Sequence, residues 1–81
     1  MIYVDELRPV LRGPMKRYGQ TCHLMADTDQ ELEAFATRLG LCRRWKHNDH
    51  FDLTPARRAK AVRFGAVEIT SRALAQRRSE R

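Results

Sequence analysis

The chain has 81 residues, of which 16 are Lys or Arg and 10 are Asp or Glu, so its formal net charge at pH 7 is +6. A chain this short builds only a small core, which leaves little room for a closed pocket and lets a partner subunit, metal or ligand matter to its stability. No apolar run approaches the roughly 20 residues that cross a bilayer, and the positive balance favours polyanionic or phosphorylated partners.

The first residues, MIYVDEL, reach an acidic residue after four apolar ones. They therefore lack the cationic start and the apolar run of a signal peptide. The sequence predicts a cytoplasmic protein with no membrane partner, in which Cys22 and Cys42 remain thiols. The sequence does not decide whether the protein forms a homodimer.

In chain order, the apolar run MIYV predicts a buried strand that ends at Asp5. Residues 8–20 contain two prolines and two glycines and show no sustained period, so we expect a loop or arm there. The segment TCHLMAD, residues 21–27, then predicts a short strand.

The best local signal is the helix encoded by TDQELEAFATRLGL, residues 28–41. Thr28 with Glu31 forms a capping box, and Gly40 stands where a left-handed residue ends a helix. The spacing predicts one apolar face, made by Leu32, Phe35, Ala36 and Leu39.

Two short extended segments, RRWK and HFDL, are expected next, before a helix that begins at Thr54 and Pro55 and stops at Gly65. AVEIT, residues 66–70, predicts a strand. Ser71 is expected to cap a last helix, and we expect its basic end, residues 72–81, to fray.

Strands that alternate with helices imply crossover connections. We therefore predict a single α/β domain over residues 1–81, with a small, mainly parallel sheet of three or four strands and about three helices. Ligands gather at the carboxyl ends of parallel strands. That edge is expected to carry Asp5, the region after His23, and Thr70 with Ser71.

Four polar residues form the first candidate site: His23, Asp27, His50 and Asp52. If the segment HFD is extended, His50 and Asp52 point to the same side and can meet His23. Two imidazoles and two carboxylates can hold a divalent metal or transfer protons. Alternatively, the two aspartates only stabilise the starts of the helices that follow them, and the histidines are partly buried hydrogen-bonding groups.

A second candidate is structural zinc held by ligands among Cys22, His23, Cys42, His47 and His50. The spacing fits no standard zinc finger, because there is no pair of cysteines two residues apart. Two small buried thiols are the simpler interpretation.

The third candidate is the helix start TPARRAKAVR, residues 54–63. The unpaired backbone N–H groups of its first turn, with Arg57 and Arg58 beside them, can hold a phosphate. The nearby carboxylate of Asp52 opposes a bare phosphate. A solvated basic helix face is an equally good interpretation.

The fourth candidate is a nucleic-acid surface. Trp45 lies among cationic residues in RRWKH, and Tyr18 does so in the arm LRGPMKRYG, the mix that stacks bases and follows a phosphate backbone. Trp45 could equally fill the small core. No motif of a sequence-specific reader is present, so general affinity for polyanions is the expectation.

Several segments together resemble a small bacterial and phage family, domain of unknown function 4031: MIYVDEL, CHLMAD, ELEAFATRLGL and HFDLTPARRAKAVRFGAV. The features that recur in that family correspond here to Asp5, His23 with Asp27, Gly40, His50 with Asp52, and Arg57 or Arg58. The chain departs from the family at Gln20 and Thr21, at Glu33 in place of a helix histidine, and at Phe51 in place of a tyrosine. The cysteines lie outside the recurring pattern, and the resemblance implies no settled activity.

Three hypotheses follow. The leading one is a small module that binds a phosphorylated ligand, a nucleotide or a nucleic-acid backbone, in which Asp5, Asp27 and Asp52 orient His23, His50, Arg57 and Arg58. The second is a metal-dependent phosphoesterase or nuclease, in which His23, His50 and Asp52 are the catalytic candidates and a divalent cation is the cofactor. The third is a protein-interaction module, such as a phage-type inhibitor that binds its protein partner through its basic face. The first and third hypotheses require no cofactor.

Overall fold

The computed structural model describes residues 1–80. Its strands are β1 (Ile2–Val4), β2 (Arg8–Pro9), β3 (Gln20–Ala26), β4 (Phe51–Leu53) and β5 (Val67–Glu68). Its α-helices are α1 (Asp29–Leu39), α2 (Pro55–Arg63) and α3 (Ser71–Ser79), and two 3-10 helices span Pro14–Tyr18 and Arg43–Trp45. No helix within residues 1–80 combines the length and the apolar character needed to cross a membrane. The predicted α/β class is confirmed.

The sheet has five strands and is mixed, so the prediction of a mainly parallel sheet of three or four strands was wrong. β3 is antiparallel to β1, to β2 and to β4, and β5 pairs with β1 in parallel. Two reversals of the chain explain the difference. Val10 N–H donates to the Gly19 carbonyl at 3.0 Å, closing a hairpin between β1–β2 and β3, and a tight turn at Asn48 reverses the chain just before β4.

The predicted arm over residues 8–20 is therefore more ordered than a loop. Its first residues, Arg8 and Pro9, pair with Gln20 and Thr21 and prolong the hairpin. Residues 14–18 form the first 3-10 helix, between Gly13 and Gly19, which both have positive φ angles. RRWK likewise contains a 3-10 helix where an extended segment was expected.

The local helix signals are confirmed in detail. Thr28 Oγ1 accepts a hydrogen bond from Glu31 N–H at 3.1 Å, and Gly40 adopts a left-handed φ of 77° at the end of α1. Thr54 Oγ1 accepts from Arg57 N–H at 3.3 Å at the start of α2. The cap of α3 is Thr70, one residue earlier than expected, and Arg81, the last residue of the predicted basic tail, lies outside the described residues.

The two faces of the sheet are covered unequally. Residues Val4, Leu24, Phe51 and Leu53 point to one face and form the main core with apolar side chains of α1 and α2, including Leu32, Phe35 and Ala61. On the other face a smaller cluster joins Tyr3, Met25 and Leu74 of α3. Because α3 has nine residues and supplies one buried leucine, it shields only part of this face. The uncovered part carries the polar side chains described next.

Candidate functional site

The pairing of β3 with β4 brings the first polar residues together. His23 lies directly opposite Asp52 in the antiparallel register. His50 precedes Asp52 by two residues and points to the same face, away from the main core, because strand side chains alternate. The turn that precedes β4 is closed by two hydrogen bonds between His47 and His50, of 2.8 and 3.1 Å, with Asn48 at a φ of 57°.

His23, His50 and Asp52 form a compact group. One ligand atom from each lies within 4.8 Å of the other two. The rings of His23 and His50 meet edge to face with centroids 5.1 Å apart. His50 Nε2 is 3.7 Å from Asp52 Oδ1, and His47 Nε2 is 3.8 Å from Asp52 Oδ2, so Asp52 lies between two imidazoles.

His23 is held by the buried carboxylate of Asp5, which is only 1% exposed. Its Nδ1 lies 2.8 Å from Asp5 Oδ2, and its backbone N–H donates to Asp5 Oδ1 at 2.6 Å. Ser71 Oγ donates to Asp5 Oδ2 at 3.2 Å. Burial opposes ionisation of Asp5, but the hydrogen bonds from His23 and Ser71 outweigh it and keep the pKa of this carboxyl below its ordinary value.

The same contact acts on the imidazole. The hydrogen bond to Asp5 raises the pKa of His23 above its ordinary value, although partial burial opposes the shift. Because a carboxylate can only accept, Nδ1 of His23 carries the proton and Nε2 is left as the basic nitrogen. Nε2 is therefore the atom of His23 that can bind a ligand or exchange a proton.

His50 is oriented in the same way by a different carboxylate. Its Nδ1 lies 3.1 Å from Asp49 Oδ1, and Arg78 Nε donates to Asp49 Oδ2 at 2.8 Å. Burial opposes ionisation of Asp49, yet the hydrogen bonds from His50 and Arg78 keep the pKa of Asp49 below its ordinary value. Asp49 therefore links the C-terminal part of α3 to the turn before β4 and leaves Nε2 of His50 facing Asp52.

An open cleft of about 120 Å³ lies between α3 and the sheet; His23 and His50 line it, whereas Asp52 is outside its lining. Its polar lining consists of Asp5, Arg8, His23, His50, Ser71 and Arg78. The side chain of His23 is 47% exposed and that of Asp52 is 34% exposed, so the site is accessible to solvent. The arrangement can bind a cation through two imidazoles and a carboxylate, or exchange protons with a ligand in the cleft.

Asp27 does not join this group, contrary to the sequence hypothesis. Its carboxylate accepts a hydrogen bond from Tyr3 Oη at 3.0 Å and from the amino group of Met1 at 3.2 Å. Asp27 lies four residues, or about 13 Å of extended chain, beyond His23. Because β3 is antiparallel to β1, the end of β3 lies beside the beginning of β1, at the sheet edge opposite to Asp5.

The two arginines at the start of α2 are also engaged elsewhere. Arg58 Nε donates to the backbone carbonyl of Asp5 at 2.8 Å, and its guanidinium pairs with Glu68 at 3.0 Å. Arg57 lies over the ring of Trp45. Neither lines the cleft, where Arg8 and Arg78 supply the positive charge instead.

The cysteines are both free thiols, and the mixed cysteine and histidine zinc site does not assemble. Cys22 points into the main core, on the opposite face of β3 from His23. Burial raises the pKa of Cys22 to about 12, which disfavours the thiolate that binds zinc. Among residues 1–80, the one group of three or more potential ligand residues close enough to hold an ion is His23, His50 and Asp52.

Sequence reasoning missed three residues around the cleft: Arg8, Asp49 and Arg78. Ser71 was expected at the same edge as Asp5, and it donates a hydrogen bond to that carboxylate. One signal was available for Asp49, because an Asn–Asp pair between two histidines favours a tight turn that puts Asp49 next to His50. Arg78 is 29 residues from its partner Asp49, and no local pattern connects them.

Comparison with known proteins adds a family and no activity. The chain has no significant match among curated proteins or among solved structures. One family model matches residues 2–81, essentially the entire chain, and it agrees with the resemblance noted in the sequence. The chain therefore belongs to the family described as Protein of unknown function (DUF4031).

Proposed function

We propose that His23, His50 and Asp52, beside the cleft, bind a divalent transition-metal ion, and that the protein is a metal-dependent hydrolase of phosphate esters. One observation carries the proposal: two imidazoles, each paired through Nδ1 with its own carboxylate, face a third carboxylate. Metal-binding histidines are typically oriented by such carboxylate partners, which fix the tautomer and make the ring a better ligand. Asp5 and Asp49 would have this orienting role.

The spacing of two of the three ligand residues supports the proposal. His50 Nε2 and Asp52 Oδ1 are 3.7 Å apart, which is too long for a hydrogen bond. Two ligands on a tetrahedral zinc ion with bonds of 2.0–2.1 Å are about 3.4 Å apart. A shift of a few tenths of an ångström would bring these two atoms to that separation. Three protein ligands would leave a fourth position for water, as in catalytic zinc sites.

Two arginines at the cleft, each paired with a carboxylate (Arg8 with Glu6 and Arg78 with Asp49), would contact an anionic substrate together with the bound ion. Both arginines line the cleft, and the entire chain carries a net charge of +6. An ion at this position would supply a Lewis acid for a phosphoryl oxygen and lower the pKa of bound water. In the chain itself, Arg8 and Arg78 would bind the phosphate, while Nε2 of each histidine would remain deprotonated as a ligand.

Isothermal titration of metal-free protein with Zn²⁺ tests the ligand set. We expect one site, and affinity at least about 100-fold weaker in His23→Ala, His50→Ala and Asp52→Asn. The matched control is His47→Ala, which removes the remaining histidine of the chain. Its ring is 68% exposed and faces the other oxygen of Asp52, so we expect less than about a 10-fold change.

Cobalt substitution then identifies the donor atoms, because Co²⁺ adopts the same geometry as zinc and absorbs visible light. We expect the absorption of a tetrahedral nitrogen and oxygen site, without the sulfur-to-cobalt band of a thiolate ligand. A sulfur band, or equal Zn²⁺ affinity in the wild type and in His50→Ala, would contradict the proposal.

Hydrolysis of bis(p-nitrophenyl) phosphate tests the activity. We expect turnover with Zn²⁺ or Mn²⁺ that a chelator abolishes and that Arg78→Gln reduces. Metal binding without any such hydrolysis would contradict the catalytic part of the proposal and keep the metal site.

A second candidate, a metal-free module for phosphorylated ligands, is favoured by the two arginines that line the cleft. This candidate predicts that a nucleotide binds with the same affinity in the presence and in the absence of a chelator. It also predicts that His50→Ala lowers the affinity for the nucleotide less than Arg78→Gln does. Equilibrium dialysis of the labelled nucleotide, with and without chelator, separates the two candidates.

A further inference from the structure

Two aromatic rings are exposed on the side of the molecule that α2 covers. Trp45 is 43% exposed and Phe64 is 37% exposed. The guanidinium of Arg57 lies 5.0 Å from the centre of the Trp45 ring. Phe64 is approached by two cations, Arg38 at 5.3 Å and Lys60 at 5.5 Å. Each ring is thus accompanied by cationic groups and still accessible to a ligand.

Helix geometry joins these pairs into one surface. Arg57, Lys60 and Phe64 stand at positions i, i+3 and i+7 of the α2 segment, which places them on one face of the helix. Arg57 and Phe64 are separated by about 10 Å along the helix axis. Ala61, four residues after Arg57, is completely buried, and Arg57 and Lys60 are half-buried, so this face borders the main core, and the rings of Phe64 and Trp45 are its exposed part. We call Arg38, Trp45, Arg57, Lys60 and Phe64 the α2 stripe.

Glu33, on α1, is paired outside the stripe, because it forms an ion pair with Arg43 at 3.2 Å. The cationic groups of Arg38, Arg57 and Lys60 lie over aromatic rings instead. Positive charge and exposed aromatic surface therefore coincide along the stripe.

We propose that the α2 stripe binds single-stranded nucleic acid, with Trp45 and Phe64 stacking on bases and the cations contacting the phosphates. Cations alone would attract any polyanion, but two exposed rings favour a ligand that also carries flat, unstacked aromatic groups. Bases in a duplex are stacked on each other and do not present their faces, so the partner is a single strand. The proposal does not depend on a metal beside the cleft, which lies on the other face of the sheet.

Trp45 is the only tryptophan in the chain, so its fluorescence reports directly on the stripe. The probe is an oligothymidylate roughly a dozen nucleotides long, titrated into wild-type protein in the presence of EDTA. We expect quenching of Trp45 fluorescence that follows the anisotropy of a fluorescein-labelled copy of the strand. Heparin, a polyanion without bases, should bind without this quenching. EDTA keeps the result independent of the proposed metal site.

Two substitutions that preserve charge test the contribution of stacking. Trp45→Ala and Phe64→Ala should each weaken binding of the oligothymidylate by about 5- to 100-fold, because base stacking on a ring is lost. Trp45→Phe should retain part of the affinity. The matched control is Tyr18→Ala, which removes an exposed ring stacked by Arg17 at 4.9 Å outside the stripe, and should leave affinity unchanged. Circular dichroism verifies that each variant is folded.

Three results would overturn the proposal. One is wild-type binding of the oligothymidylate without any change in Trp45 fluorescence. The second is an equal loss of heparin and oligothymidylate affinity in the folded alanine variants, which would mean that the rings do not recognise bases. The third is a blue shift of Trp45 emission on anionic phosphatidylserine vesicles with no response to the oligothymidylate, which would assign the stripe to a lipid surface.

Discussion

Replacing Asp5 with Asn should destabilise the protein in a pH-dependent way. The buried carboxylate accepts hydrogen bonds from the backbone and ring of His23 and from the hydroxyl of Ser71. Asparagine keeps one oxygen, which can still accept from the backbone N–H of His23. Its amide group would face the two other donors, Nδ1 of His23 and Oγ of Ser71. Each bond to a charged group contributes about 1.5–3 kcal/mol and a neutral one about 0.5–1.5 kcal/mol, so we expect a loss of about 2–4 kcal/mol. A domain of this length is stable by about 4–12 kcal/mol in total.

The pKa shifts set the pH window. The pKa of Asp5 is lowered by folding, so its contribution is present above the unfolded value of about 3.9 and is lost as pH falls through the folded value. The pKa of His23 is raised by folding, so its contribution is present below the unfolded value of about 6.5 and is lost as pH rises through the folded value. Both act together between about pH 4 and pH 6.5, where the variant should lose most.

Urea unfolding followed by circular dichroism at about pH 5.5 and about pH 8.5 measures the effect. The control is Glu80→Gln, the same chemical change at an exposed acid after α3, whose stability and pH dependence should stay close to wild type. A loss below about 1 kcal/mol, or an equal loss at both pH values, would refute the reasoning about Asp5 and His23.

Three further outcomes follow from the fold. Leu24→Ala removes a completely buried side chain from the main core and should lower the free energy of unfolding by about 2–5 kcal/mol, measured by urea titration. Thr54→Ala removes the side-chain oxygen that accepts a hydrogen bond from Arg57 N–H at the start of α2. It should lower the free energy of unfolding by about 1 kcal/mol in the same urea titration, whereas Thr54→Ser should not. Cys22, buried and with its pKa raised to about 12, should resist a thiol reagent near pH 8 until the chain unfolds, while the half-buried Cys42 is labelled first. The number of thiols that react with the reagent, counted with and without urea in the wild type and in Cys42→Ser, measures this order.

The candidate site was predictable only where its geometry is local. A period of two residues was enough to put His50 and Asp52 on one side of a strand, and proximity in sequence made Asp49 a neighbour of His50. Asp27 was grouped with His23, but it follows the end of β3, four residues or about 13 Å of extended chain beyond His23. The arginines were misassigned because a basic helix start does not show which of its side chains have partners across the sheet.

The sequence by itself determined the helices and the approximate positions of four of the five strands, all except β2. Caps such as Thr28, Gly40 and Thr54 act within a few residues, so the same chain segment contains both the signal and the structure it specifies. Only the tertiary structure decided strand order and direction, because pairing partners are chosen by contacts between distant segments and by turns such as the one at Asn48. Those choices bring Asp5, His23, His50 and Arg78 to one cleft, and the short α3 leaves that cleft open to solvent.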